Sequence, residues 1–263
     1  MNRLRVCGAA VAALCLIAAT PAVAAEDGET LVRRSDEQLK SDTEVIQYRM
    51  EIVSAGGEVE QVREFVTYSK NGADEERTLQ KFQSPPVFEG TGLLIVDDNR
   101  GQNDIWLYLP SSRRIRRIAG QEKSNQYMGT EYSYEDFEDY QISEYDFRLL
   151  RSTACKGTDG ECHVVEAKPS TAEEREASGY SKKVYWIETE SLYPVRVELF
   201  GDDGDIVKVE TASGLRRIAG YWRPTRQAMK DRRSGRETRL EIVEDKIDQS
   251  VEDFYVSKRF LRR

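Results

Sequence analysis

Alternation of apolar and polar residues with a period of two runs along most of this chain and limits its fold more than any other feature. Ile46, Tyr48, Met50 and Ile52 alternate with Gln47, Arg49 and Glu51, so an extended strand here has one apolar and one polar face. The rhythm returns at 62–68, 77–82, 93–96, 105–109, 162–167, 184–188, 195–200, 206–209, 225–229 and 238–243. Asn71-Gly72, Asn99-Arg100-Gly101, Asp159-Gly160, Asp202-Asp203-Gly204 and Ser234-Gly235 mark turns between these segments. Helical spacing is confined to 29–42, with Leu31, Val32 and Leu39 on one side, and to a short polar stretch at 173–177. Eleven short strands joined by hairpins predict a mainly β protein: one curved antiparallel sheet or an incomplete, open barrel. A sandwich of two sheets is the rival.

The first residues are laid out as a secretory signal. Arg3 and Arg5 precede the apolar run 6–20, Pro21 breaks it, and Ala22-Val23-Ala24 offers the small residues that a signal peptidase accepts. The expected division is a signal peptide at 1–24, cleaved near Ala24, and one domain at 25–263. The apolar run falls short of the roughly 20 residues of a spanning helix, which makes a retained anchor the weaker reading. Losing Arg3 and Arg5 takes the formal charge from −8 to −10. So acidic a chain is ill suited to nucleic acid. Cys7 and Cys15 leave with the signal, and Cys155 and Cys162 remain on either side of a turn-like hexapeptide. In an oxidising compartment they are expected to form a disulfide; the alternative is a pair of metal ligands, which one histidine, His163, could scarcely complete.

Little in the sequence asks for catalysis. His163 lies beside a half-cystine in an expected strand, and no glycine loop for phosphate or zinc-ligand spacing occurs. Glu131, Glu135, Asp136, Glu138 and Asp139 cluster together, which reads as a solvated or ion-paired surface rather than a glycosidase pair. The expectation is a protein that is not an enzyme and uses no metal or cofactor.

One long insertion does call for a role. Trp106-Leu107-Tyr108-Leu109-Pro110 leads into Arg113-Arg114-Ile115-Arg116-Arg117, and then into Tyr127-Met128-Gly129-Thr130-Glu131-Tyr132-Ser133-Tyr134-Glu135-Asp136-Phe137. Ser133 and Asp136 resemble a capping box for a short helix over 134–140. The whole segment resembles the signature of the outer-membrane lipoprotein-sorting proteins related to the LolA and LolB carriers. Gly90-Thr91-Gly92-Leu93-Leu94-Ile95, the paired cysteines, Tyr193-Pro194-Val195-Arg196-Val197-Glu198 and Tyr221-Trp222-Arg223-Pro224 agree with that family in the same order. The resemblance implies an incomplete antiparallel barrel with helices and loops as its lid. It further implies a periplasmic carrier that holds a lipid or lipid-modified ligand and makes transient contact with membranes. From the alternation, Ile46, Tyr48, Met50, Leu93, Ile95, Ile105 and Leu107 are expected on the concave, ligand-facing side. Arg113, Arg114, Arg116 and Arg117 read either as a loop paired with Glu131, Glu135 and Asp136, or as a docking patch for an acidic surface or lipid head groups; the family resemblance implies that such a partner is an inner-membrane transporter of the resistance-nodulation-division type. Two other readings stay open: an accessory subunit of such a transporter that holds no cargo, and a hydrolase of envelope lipids.

Overall fold

The computed structural model describes residues 27–98, 103–138 and 142–263. The expected signal peptide, the turn at Asn99-Arg100-Gly101 and Asp139 lie outside the described residues. In chain order the strands are β1 (Thr43–Val53), β2 (Val59–Asn71), β3 (Glu76–Ser84), β4 (Gly92–Asp97), β5 (Asn103–Leu109), β6 (Arg114–Ile118), β7 (Tyr145–Ala154), β8 (Glu161–Pro169), β9 (Lys182–Glu188), β10 (Pro194–Phe200), β11 (Ile206–Ser213), β12 (Arg216–Ile218), β13 (Tyr221–Arg223), β14 (Arg226–Asp231) and β15 (Glu237–Ile247). All eleven expected strands are among them. Among the described residues three α-helices, α1 (Gly28–Leu39), α2 (Ala172–Ser178) and α3 (Lys258–Leu261), and three short 3-10 turns complete the regular structure.

Thirteen strands form one antiparallel sheet in the order β6-β5-β4-β3-β2-β1-β15-β14-β11-β10-β9-β8-β7, and only the β12–β13 hairpin stands apart. The sheet is not closed into a barrel, and the sandwich rival is set aside. The order has a consequence for the chain path. Hairpins carry β1 outward to β6, and the second half winds back from β7 to β15, which pairs with β1. Consecutive strands β6 and β7 are therefore opposite edges of the sheet, and the chain leaves the first edge through the described residues 119–138. It crosses over the concave face. Arg63 of β2 donates to the Met128 carbonyl at 2.9 Å, the Glu131 amide donates to Thr238 of β15 at 3.0 Å, and Lys183 of β9 meets Glu135 at 2.7 Å.

The sheet is apolar on both faces over part of its area, which is why Leu93-Leu94-Ile95 and Val184-Tyr185-Trp186-Ile187 read as unbroken apolar runs. Concave residues join one large core with α1 and the insertion. On the convex side α3 seats Leu261 against Leu79, Leu94 and Tyr108, while Cys162, Val164, Val184, Trp186 and Val195 form a separate cluster. The Cys155–Cys162 disulfide closes the β7–β8 hairpin beside that cluster.

Several local expectations need correction. The arginine-rich stretch is only in part the expected loop: Arg113 ends the turn after β5, whereas Arg114, Arg116 and Arg117 belong to edge strand β6. Of the helix expected over 134–140, the described residues form a single 3-10 turn at Glu135–Phe137, although the reciprocal cap does form, with the Ser133 amide on Asp136 at 2.7 Å and the Asp136 amide on Ser133 at 3.3 Å. α1 stops at Leu39 instead of reaching Asp42, because Lys40 turns to extended backbone and the Arg223 guanidinium takes the Leu39 carbonyl at 2.9 Å.

Candidate functional site

Strand register assembles the concave wall. Leu93 pairs with Leu107 and Ile95 with Ile105, while Tyr48 pairs with Phe65 and stacks on its ring at 4.8 Å. Met50, Leu93, Ile105 and Leu107 are buried in the large core, sealed by the insertion. The insertion brings its own rings: Tyr127 lies 6.1 Å from Phe82, 5.5 Å from Tyr134 and 5.0 Å from Phe137, and Tyr132 lies 5.3 Å from Phe137. Ile46 and Tyr48, together with the core residue Ile95, line a cavity of about 380 Å³, bounded by the end of α1, by the strands β1–β4, β11, β14 and β15, and by Tyr132, Asp136 and Phe137. The seven expected wall residues are thus divided between a closed apolar part and an open chamber.

That chamber is more polar than alternation suggested. Thr67, in phase with Phe65, and Gln80, in phase with Phe82, pair across β2 and β3 and face inward. Arg223 binds Glu44 through two bonds, at 2.6 and 3.0 Å, and Lys40 pairs with Asp36 at 3.2 Å and Glu76 at 3.5 Å. Glu210 projects from β11 and accepts a long hydrogen bond from the Tyr132 hydroxyl at 3.4 Å. Burial, reinforced by the nearby Asp136, pushes its carboxyl up to about 7. A polar residue in phase with aromatic ones was the signal for these positions, and an apolar count passes over it.

The acidic cluster of the insertion is not a solvated surface. Glu131 and Glu135 are buried, and their cations come from the β14–β15 turn and from β9 rather than from the arginine run. Glu131 pairs with Arg236 at 2.9 Å, Glu135 with Lys183 at 2.7 Å, and Asp136 with Lys208 at 3.6 Å. Of the four arginines, Arg116 pairs with Glu122 at 3.1 Å and Arg117 with Asp104. Among the described residues Arg113 and Arg114 are exposed and make no ion pair. His163 bonds Ser152 through Nδ1 at 2.9 Å on the open surface.

A family model described as an uncharacterized protein matches residues 74–263, more than half of the chain. The chain belongs to that family. Its structure is similar to an outer membrane lipoprotein-sorting protein domain from Vibrio parahaemolyticus, with a TM-score of 0.81 and 26% identity over 90% of this chain and 98% of that one. It is equally similar to a DUF1329 family protein from Desulfovibrio piger, with a TM-score of 0.81 and 28% identity over 89% of this chain and 97% of that one. A LolA superfamily protein from Nitrosomonas europaea shares the fold, with a TM-score of 0.68 and 20% identity over 90% of this chain and all of the other. These likenesses bear out the resemblance to lipoprotein-sorting proteins and the open-barrel fold. No curated protein matches the sequence. Among the described residues no helix is long and apolar enough to cross a membrane.

Proposed function

We propose that this family member is a non-enzymatic carrier of a lipid or lipid-modified ligand in the periplasm, secreted by a signal peptide at 1–24 and folded as one domain over 25–263. The observation that carries the reading is the inner wall: apolar residues of β1 and β4 continue from a closed core, which they share with β5, into a chamber of about 380 Å³, within the size range of small-molecule sites. A free acyl chain in water costs about 0.8 kcal/mol per CH₂, so transfer between membranes gains from such a container. An acyl group that enters past Phe137 and reaches Met50, Leu93, Ile105 and Leu107 takes the place of the insertion's rings. The likeness to lipoprotein-sorting proteins supports the same class of cargo.

Arg113 and Arg114, exposed and without an ion pair among the described residues, favour a docking role in this cycle, against an acidic surface of an inner-membrane transporter or lipid head groups at a transient membrane contact. Uptake of a fluorescent fatty acid tests the reading. Ile95→Glu and Leu107→Glu each place a carboxylate in the apolar wall and are expected to abolish uptake by protein that remains folded. Absence of uptake by the unaltered protein would overturn the proposal.

A further inference from the structure

The polar part of the chamber is built for one kind of head group. Six carboxylates line it, from Asp36, Glu44, Glu76, Asp97, Asp136 and Glu210, against two cations, Lys40 and Arg223, both already held by carboxylates. An anionic head would find no uncommitted cation there. Around Glu210 the neighbouring charges are settled elsewhere: from the insertion Asp136 pairs with Lys208 of β11, and from β9 Lys183 pairs with Glu135. Among the described residues no ion pair includes Glu210, whose one hydrogen-bond partner is Tyr132. Tyr48, Tyr132 and Tyr193 share the chamber with it, Gln227 of β14 donates to the Tyr193 hydroxyl at 3.2 Å, and among the described residues none of the three rings has a cation over its face.

A second observation is independent of the carboxylates. Thr67 Oγ1 and Gln80 Oε1 have no hydrogen-bond partner, although the two residues are only 7% and 5% exposed and line this chamber. A buried amide oxygen without a donor costs free energy that a ligand N–H or O–H would recover. We infer that the chamber binds a ligand carrying an ammonium group on an apolar body, with the cation set against Glu210 among Tyr48, Tyr132 and Tyr193, and with any further N–H or O–H of the ligand available to the orphan acceptors elsewhere on the wall. A carboxylate with aromatic faces is the usual surrounding of a bound ammonium, which supplies three donors and no acceptor. This assignment rests on the carrier reading and adds the chemical class of the head.

Calorimetric titration of the whole mature protein with dodecylammonium, dodecanol and dodecanoate, each below its aggregation concentration at about pH 8, separates the two. The ammonium should bind at least ten-fold more tightly than the carboxylate, with the alcohol between them. Its affinity should rise from about pH 6 to 8 as Glu210 ionises. Glu210→Gln should weaken the ammonium about ten-fold, leave the alcohol within two-fold and remove that rise, while Glu210→Asp should retain the preference. Carboxylate binding as tight as ammonium overturns the inference while the carrier reading stands. Binding of none of the three overturns both, and an ammonium affinity indifferent to Glu210→Gln overturns the assigned site.

Discussion

Tyr127 offers a paired perturbation whose two halves carry opposite signs. Its ring is fully buried against Phe82, Tyr134 and Phe137, yet its hydroxyl oxygen has no hydrogen-bond partner. Tyr127→Phe keeps the ring and removes the unpaired group, and should stabilise the protein by about 1–3 kcal/mol. Tyr127→Ala removes the ring and leaves a cavity under the insertion, costing about 3–5 kcal/mol. Urea unfolding of both variants, with the disulfide intact, reads the two midpoints against the unaltered protein. The alanine variant should also take up fatty acid more readily, since a weaker cover leaves more of the population open. A phenylalanine variant less stable than the parent by 1 kcal/mol or more would show that the hydroxyl is satisfied, and would refute the description of the insertion as a dry aromatic plug.

Lys183 and Glu135 are 5% and 7% exposed and pair at 2.7 Å, so Lys183→Met should cost about 3–5 kcal/mol, most of it recovered by adding Glu135→Leu. Burial raises Glu138, Glu210 and Asp245 to about 7 from ordinary values of 4.5, 4.5 and 3.8, so the folded protein keeps protons that the unfolded chain has lost. Their contribution is complete below those ordinary values and is lost as pH rises through about 7; melting temperature should fall from about pH 5 to 8, less so in Glu210→Gln. Reducing Cys155–Cys162 opens a loop of eight residues and should cost about 2.5 kcal/mol on the chain-entropy view, read as the shift in urea midpoint on reduction. Arg113→Glu with Arg114→Glu should leave stability and ligand binding unchanged but slow transfer to anionic vesicles, and salt should slow the unaltered protein in the same way; unchanged transfer would remove the docking role.

Where one sheet face was apolar and the turn chemistry plain, the strands could be read directly from the chain. β6 escaped because an edge strand with Arg114, Arg116 and Arg117 has charge on both faces and no alternation to detect. β7 escaped because a bulge between Leu149 and Arg151 shifts the phase of Tyr145, Phe147 and Leu149 halfway along. Alternation placed Met50, Leu93, Ile95, Ile105 and Leu107 on a common face, and the resemblance to lipoprotein-sorting proteins implied a lid of helices and loops over it. The partners of Glu131, Glu135 and Asp136 were not recognisable, since Lys183 and Lys208 come from strands, and Arg236 from the β14–β15 turn, far along the chain. The chamber was hidden for a related reason: Thr67, Gln80 and Glu210 become neighbours of one space only when β1 and β15 pair and curve the sheet around it.

The carrier assignment is tested most directly by recovering cargo. Protein secreted to the periplasm, purified without detergent and extracted with organic solvent should release close to one equivalent of lipid, as read by mass spectrometry of the extract, and Leu107→Glu protein prepared in parallel should release little. An extract free of lipid from the unaltered protein, together with no uptake when lipid is offered, would contradict the account and leave the concave face as an ordinary packed core.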